Sequence, residues 1–255
     1  MPIERETFDE MRLPAVSPGG LAQDEEWCEV CVDGVWRSIR FHEYGALYEI
    51  PGLYERLFYD KLECRSPRTI RELLSAELDR AGVEPSALTV LDLGAGNGMV
   101  GEQLAELGAS SIVGVDLIEQ AAIATERDRP GVYDDYLVAD LTQLEPDERE
   151  QLARWRFTCL TSVAALGFDD IPPEAFAIAY ELIQPGGWIG FTIKEDFLTQ
   201  QDPSGFERLI RRALDDGSLE LRAQRRYPHR LSSQGHPLHY VAMIAVKAGE
   251  LPHDE

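Results

Sequence analysis

Three aspartates, each near the end of an apolar run, are the residues best placed to do chemistry. Asp92 lies in VLDLGAGNGMVGEQL (90–104), two residues before Gly94; Asp116 ends SIVGVD (111–116); Asp140 ends YLVAD (136–140). Gly94, Gly96 and Gly98 allow a tight turn and a close backbone approach to a ligand. In open α/β sheets, ligands bind in the crevice at the carboxyl ends of the strands. Spacing then discriminates among ligands. A dinucleotide fingerprint needs G-x-G-x-x-G, but Met99 stands where the third glycine would be, and the pattern is G-x-G-x-G. Asp92 is expected to face the ligand, where a carboxylate repels a pyrophosphate and suits an ammonium or sulfonium. Asp116, 22 residues after Gly94, can accept from both hydroxyls of a ribose. Asp140 can accept from an adenine amino group, or it caps a helix with Leu141 behind it. Gly101 reads as helix packing.

A cationic amino acid, a ribose and an adenine, met by carboxylates on successive strands, describe S-adenosylmethionine. At these residues the chain resembles the Rossmann-like (class I) S-adenosylmethionine-dependent methyltransferases. VLDLGAGNG resembles the family's first motif, VGVDL (113–117) its acidic second-strand motif and VADL (138–141) its adenine-contacting motif. LIQPGGWIGFTI (182–193) resembles the turn into its fifth strand. The resemblance implies a doubly wound α/β fold with a seven-stranded sheet of order 3-2-1-4-5-7-6. Strand 7, here LHYVAMIAVK (238–247), would be antiparallel. It implies a cofactor site made of Asp92, Gly94, Ala95, Gly96, Asn97, Gly98, Asp116, Leu117, Asp140, Leu141 and Thr161. YEIPGLYERLFYDKL (48–62) resembles the lid of small-molecule methyltransferases. That implies a gating tyrosine, Tyr48, against the cofactor, with Tyr44, Tyr54 and Phe168 toward a small-molecule acceptor. After the fourth strand, Leu160–Ala164 lacks the N/D-P-P-Y of amide and base N-methyltransferases. It also lacks the Asp and Asn with which catechol-type members hold magnesium, so no catalytic metal is expected.

The elements that must position these residues are legible as patterns. Residues 1–23 are polar, carry Pro14, Pro18, Gly19 and Gly20, and read as a flexible tail. Residues 24–65 form an N-terminal hairpin and lid segment: Trp27–Val32 and 35–41 alternate, and Asp33-Gly34 between them is a favoured two-residue hairpin turn. An aromatic stretch, helical around Pro51, follows. Its aromatics either close over the site or glue the hairpin to the core. From Ser66 to the end, helices alternate with apolar strands, as a mostly parallel sheet requires. Ser66 and Pro67 read as a helix start, Gly82 and Gly108 as helix stops, and Asp169 and Asp170 as caps of the helix opened by Pro172. The acidic run 145–150 reads as a solvated helix start.

Composition bounds the function. The 255 residues carry 24 Lys+Arg against 46 Asp+Glu, a formal charge of −22. That argues against nucleic-acid binding, which needs a basic surface, and against an anionic membrane surface. No apolar run approaches a membrane span, MPIERETFDE lacks the features of a signal peptide, and the expectation is a cytoplasmic protein. Cys28 and Cys31 form an isolated C-x-x-C on an alternating run, which sends the two thiols to opposite faces instead of to one metal. Candidate bases are His42, His229 and a tyrosine among Tyr44, Tyr48 and Tyr54; no spacing fixes their roles, and a histidine beside a hairpin is more often structural. Arg222, Arg225, Arg226, His229 and Arg230 form a basic cluster, with Arg222, Arg226 and Arg230 on one strand face. It reads as ion pairing in preference to capture of an anionic acceptor. The leading expectation is methyl transfer to a small molecule; a protein methyltransferase, an NAD-type oxidoreductase and a non-catalytic cofactor-binding module are the alternatives.

Overall fold

The computed structural model describes residues 8–14, 21–167, 170–199 and 204–251. A small antiparallel sheet opens the chain, ordered β1 (Glu10–Arg12), β2 (Trp27–Val32), β3 (Val35–Arg40). Asp33 and Gly34 take φ of 52° and 74°, as the two-residue turn demands. β1 corrects the reading of residues 1–23 as tail. Glu10–Arg12 pairs with Glu29–Cys31, and Asp9 N donates to Cys31 O at 2.8 Å. Three residues of mixed polarity carry too little alternation to be recognised in sequence. Cys28 is fully buried in the hairpin core, whereas the Cys31 thiol lies 3.7 Å from an Asp9 carboxylate oxygen.

The aromatic stretch folds as α1 (Tyr44–Glu49) and α2 (Leu53–Glu55), the latter continuing into a π-helical turn over Arg56–Lys61. Gly52, at φ 79°, makes the break between the two helices. Phe41, Leu47, Leu53, Leu57, Phe58 and Leu62 pack with Cys28, Val30 and Ile39 of the hairpin. Tyr48 meets Ile118, Ala121 and Ala124 beyond the hairpin, and Tyr44 and Tyr54 pack against both groups.

The rest alternates: α3 (Ser66–Ala81), β4 (Thr89–Leu93), α4 (Met99–Leu107), β5 (Ser111–Asp116), α5 (Glu119–Asp128), β6 (Asp135–Val138), α6 (Pro146–Ala153), β7 (Cys159–Leu166), α7 (Pro173–Glu181), β8 (Trp188–Lys194), α8 (Phe206–Asp215), β9 (Leu219–Leu231) and β10 (Pro237–Lys247). The sheet order is β6-β5-β4-β7-β8-β10-β9, with β10 antiparallel to both neighbours. This is the expected 3-2-1-4-5-7-6 arrangement. Helices cover both faces, so Leu91 and Leu93 enter one core and Val90 and Ile112 the other. That double burial is why the parallel strands read as unbroken apolar runs.

Three local expectations change. Ser66 lies inside the first turn of α3 and caps nothing; its hydroxyl is 2.5 Å from the Tyr227 hydroxyl and 2.6 Å from His229 Nδ1. Arg222, Arg226 and Arg230 do not share a face. The β9–β10 register slips at Arg222 and again at His229, where Arg230 opposes Leu238 and Pro228 opposes His239. Each extra residue reverses the alternation, so His229 and Arg230 are both buried while Arg226 is exposed. The outer arginines pair as expected, Arg222 with Glu220, Arg225 with Glu72 and Arg226 with Glu195. Such exposed pairs contribute little, because solvent and salt screen them. Finally, α7 starts after Pro172 with no side-chain cap, which leaves Asp170 for another role.

Candidate functional site

The loop from β4 into α4 is built by glycines that sequence alone had singled out. Gly94, Gly96 and Gly98 have φ of 73°, 55° and 87°. A Cβ on Gly94 would fall 2.8 Å from the Ala165 Cβ, and one on Gly96 2.6 Å from the Tyr48 hydroxyl. Gly94 N and Ala95 N donate to Val115 O, which holds the loop against β5. The Thr125 and Tyr136 hydroxyls both donate to Gly96 O at 2.8 Å. Gly101 meets the Tyr133 ring, the packing role expected of it.

Asp116 stands at the carboxyl end of β5 beside this loop. Its Oδ2 accepts from Gly96 N at 2.8 Å and its Oδ1 from Ile118 N at 2.9 Å. Burial pushes its carboxyl up, and the N–H groups of Ile118 and Gly96 pull it back down. Each oxygen keeps a lone pair for a ligand.

A cavity of about 430 Å³ opens over the loop. From the predicted cofactor set, Gly94, Ala95, Gly96 and Asn97 line it, as do Asp116, Leu117, Asp140, Leu141 and Tyr48. Tyr44, Tyr54 and His42 line it too, whereas Phe168 lies outside the described residues. Leu117 is 63% exposed at the rim. Asp140 fulfils the capping alternative: it accepts from Thr142 N, Thr142 Oγ1 and Gln143 Nε2, which hold its carboxyl below the usual range.

Asp92, Thr161 and Gly98 are not on the cavity wall. Asp92 is 1% exposed, and its two oxygens accept from Thr161 Oγ1 and the Tyr133 hydroxyl, both at 2.7 Å. Thr161 is its cross-strand partner on β7. Asp92 therefore stiffens the loop from behind, with both carboxylate oxygens engaged by protein hydroxyls and set back from the cavity wall. Burial raises its pKa from 3.8 to about 6, against the pull of those two hydroxyls. Between about pH 4 and 6 the native chain holds a proton that the unfolded chain releases, so stability falls as pH rises through that window. Above it the native state bears the full cost of an ionised buried carboxylate, about 3 kcal/mol. Asp92→Asn should accordingly melt higher than the parent at pH 7.5, with the gap closing toward pH 4. A variant that melts lower throughout would show that the two hydrogen bonds outweigh the burial cost.

Residues beyond the predicted set support the walls from behind or line them. Glu55 Oε1 accepts from Asn97 Nδ2 at 2.6 Å and from Arg129 Nη1 at 2.8 Å, which ties α2 to the glycine loop. Arg127 Nη1 donates to Tyr48 O. Gln23, Asp170, His229, Arg230 and Tyr240 also line the cavity. His229 is held neutral by burial, and its ring packs 4.0 Å from that of Tyr240. No local pattern marks Gln23, and the bulge that turns His229 and Arg230 inward together leaves no trace in sequence.

S-adenosylmethionine fits these residues. The glycine cradle would be filled by any Cβ, Asp116 presents acceptors beside it, and Leu117, Ile118 and Leu141 offer an apolar wall for a flat base. A family profile described as a methyltransferase domain matches residues 66–237. The mitochondrial ubiquinone biosynthesis O-methyltransferase of Candida albicans is 31% identical over 120 residues, which is 45% of this chain and 35% of that protein. The matched stretch thus spans about a third of the curated relative's length. Among solved structures, a Thermoplasma acidophilum protein shares the fold with a TM-score of 0.50 at 15% identity, over 80% of this chain and 97% of that one. Magnesium protoporphyrin IX methyltransferase from Synechocystis, crystallised with bound S-adenosylmethionine, aligns at 18% identity over 71% of this chain and 79% of its own, with a TM-score of 0.49. On the match to more than half its length, and with the strand order and glycine cradle already described, the chain belongs to the class I S-adenosylmethionine-dependent methyltransferases.

Proposed function

We propose that the protein methylates a small-molecule acceptor held between the glycine loop and the aromatic segment 41–64. The observation that carries this reading is the continuity of the cavity. The walls that include Asp116 and the glycine cradle also include Phe41, Tyr44, Tyr54, Phe58 and Tyr59. The cavity of about 430 Å³ must also hold the donor, so the share left for the acceptor suits only a compact organic molecule. The donor supplies a methyl already activated on a sulfonium, so positioning and exclusion of water are the main tasks left to the protein. Asp116 and the loop orient the donor, and the tyrosines offer ring faces that attract a cation. Glu55, bonded to Asn97 and Arg129, fixes the segment over the site.

The test is transfer of labelled methyl from S-adenosylmethionine by the purified protein, offered phenols, amines and carboxylic acids in parallel with denatured proteins. Label in a small molecule supports the reading. Label confined to polypeptide sinks it.

Two further outcomes are expected. Tyr48 is 5% exposed, stacks between Tyr44 and Tyr54, and sets its hydroxyl over Gly96. Tyr48→Ala should weaken donor binding about tenfold in calorimetry, a loss of about 1.4 kcal/mol, and lower turnover. Unchanged binding with a large fall in Tm would make the tyrosine mere packing between the segment and α5. Leu160–Ala164, which lies within β7, offers no Asp–Asn pair, so EDTA is expected to leave turnover intact. Loss restored by magnesium would overturn that expectation.

A further inference from the structure

One wall of the cavity carries an acid–base pair assembled from distant parts of the chain. His42, just before α1, places Nδ1 3.2 Å from Asp170 Oδ2, and both residues line the cavity. The Tyr44 hydroxyl approaches the same carboxylate oxygen at 3.5 Å, and its ring meets that of His42 edge-on at 5.6 Å. A carboxylate beside Nδ1 fixes the proton on that nitrogen and leaves Nε2 as the basic one. The other titratable or charged groups on the cavity walls are Tyr44, Tyr48, Tyr54, Tyr59, Cys64, Asp116, Asp140, His229, Arg230 and Tyr240. Burial keeps the five tyrosines and Cys64 protonated and His229 neutral near pH 7, and the Asp116 and Asp140 carboxylates are already engaged by N–H and hydroxyl donors. The Arg230 charge is already matched by Glu26, 2.6 Å away. His42 is thus the wall residue equipped to take a proton.

We propose that the acceptor is an aromatic hydroxyl compound bound in its un-ionised form, with His42 as its general base and Asp170 as the residue that positions His42. This rests on the small-molecule reading above. The aromatic side chains on the same walls suit a flat ring. In the step, a lone pair of the acceptor oxygen attacks the methyl carbon as His42 Nε2 takes the hydroxyl proton. The carbon–sulfur bond breaks, its electron pair returns to sulfur, and the sulfonium becomes a neutral thioether. The products are the methyl ether, S-adenosylhomocysteine and a proton that leaves His42 for solvent.

Phenol and 4-nitrophenol separate this from a structural role. At pH 8 phenol is protonated, as a tyrosine side chain is, whereas 4-nitrophenol is largely ionised and needs no base. His42→Gln should lower kcat for phenol about 100-fold, within the range for loss of a general base, and that for 4-nitrophenol by less than tenfold. Asp170→Asn should lower kcat for phenol about tenfold with KM nearly constant. S-adenosylhomocysteine binding by each variant shows that the site is formed. Equal losses with both phenols would overturn the base. Methylation of amines or carboxylic acids but of neither phenol would overturn the acceptor class and leave the small-molecule reading standing. Failure of every small molecule would remove that reading and this one together.

Discussion

Asp116→Ala is expected to weaken S-adenosylhomocysteine binding ten- to a hundredfold while the protein keeps its fold. Asp116 sits where a ribose would be met, and a hydrogen bond to a charged acceptor is worth about 1.5–3 kcal/mol. Two such bonds would give more than a hundredfold. The net loss is smaller because the free protein no longer holds a buried carboxylate, whose pKa is already raised by that burial. A second contribution comes from the loop. Gly96 N and Ile118 N both donate to this carboxylate, and without it the cradle loses a partner that shapes it before any ligand arrives. Asp116→Asn keeps one acceptor oxygen and should fall between the parent and the alanine variant. Calorimetry gives the affinity and circular dichroism the fold. An unchanged dissociation constant in a folded alanine variant would remove Asp116 from the cofactor site.

What could be read from the sequence is what local pattern determines. Apolar runs such as LTVLDLG and SIVGVD announce doubly covered strands, and the G-x-G-x-G turn lies at the end of one of them. Asp116 was legible because a residue at the carboxyl end of such a strand must lie at the crevice. Asp92, expected to face the ligand, lies behind the cavity wall for the complementary reason. The direction of its side chain is decided by Thr161 and Tyr133, 69 and 41 residues away, and no local rule announces a cross-strand hydroxyl. Asp170 reads locally as a cap before Pro172, yet its partners His42 and Tyr44 lie far upstream, Tyr44 by 126 residues. The basic cluster fails in a third way. Periodicity of two assigns Arg226 and Arg230 to one face, and one unpaired residue at His229 reverses the assignment. The aromatic segment packs on the hairpin through Phe41, Leu47, Leu53, Leu57 and Phe58, and Phe41, Phe58 and its tyrosines also line the cavity.

Arg230→Met should destabilise the protein by about 3–5 kcal/mol, the usual cost of stranding one partner of a buried ion pair. The Arg230 and Glu26 side chains are 3% and 1% exposed, with Nη2 2.6 Å from Oε2. Arg230 Nη1 also donates to Leu231 O, and Glu26 Oε1 accepts from Ser233 N at 2.5 Å. The guanidinium further stands over the Phe41 and Phe58 rings, at 5.4 and 5.8 Å. The pair thereby joins the N-terminal segment, the aromatic segment and β9 at the cavity wall. Its neutralised charge is poorly suited to capture an anionic acceptor, which is the reading of the arginine cluster that the outer ion pairs also disfavour. Removing Arg230 leaves Glu26 charged and unpaired in a dry site, whereas removing both charges removes most of that penalty. Glu26→Leu combined with Arg230→Met should therefore recover more than half of the stability lost by Arg230→Met alone, a non-additivity expected of groups in direct contact. Because the pair is buried, 1 M salt should barely change the loss, in contrast to an exposed bridge. Urea denaturation of the two single variants and the double variant measures the coupling. A loss within 0.5 kcal/mol for Arg230→Met, the scale of an ordinary surface substitution, would mean that the pair contributes nothing to holding the cavity wall together.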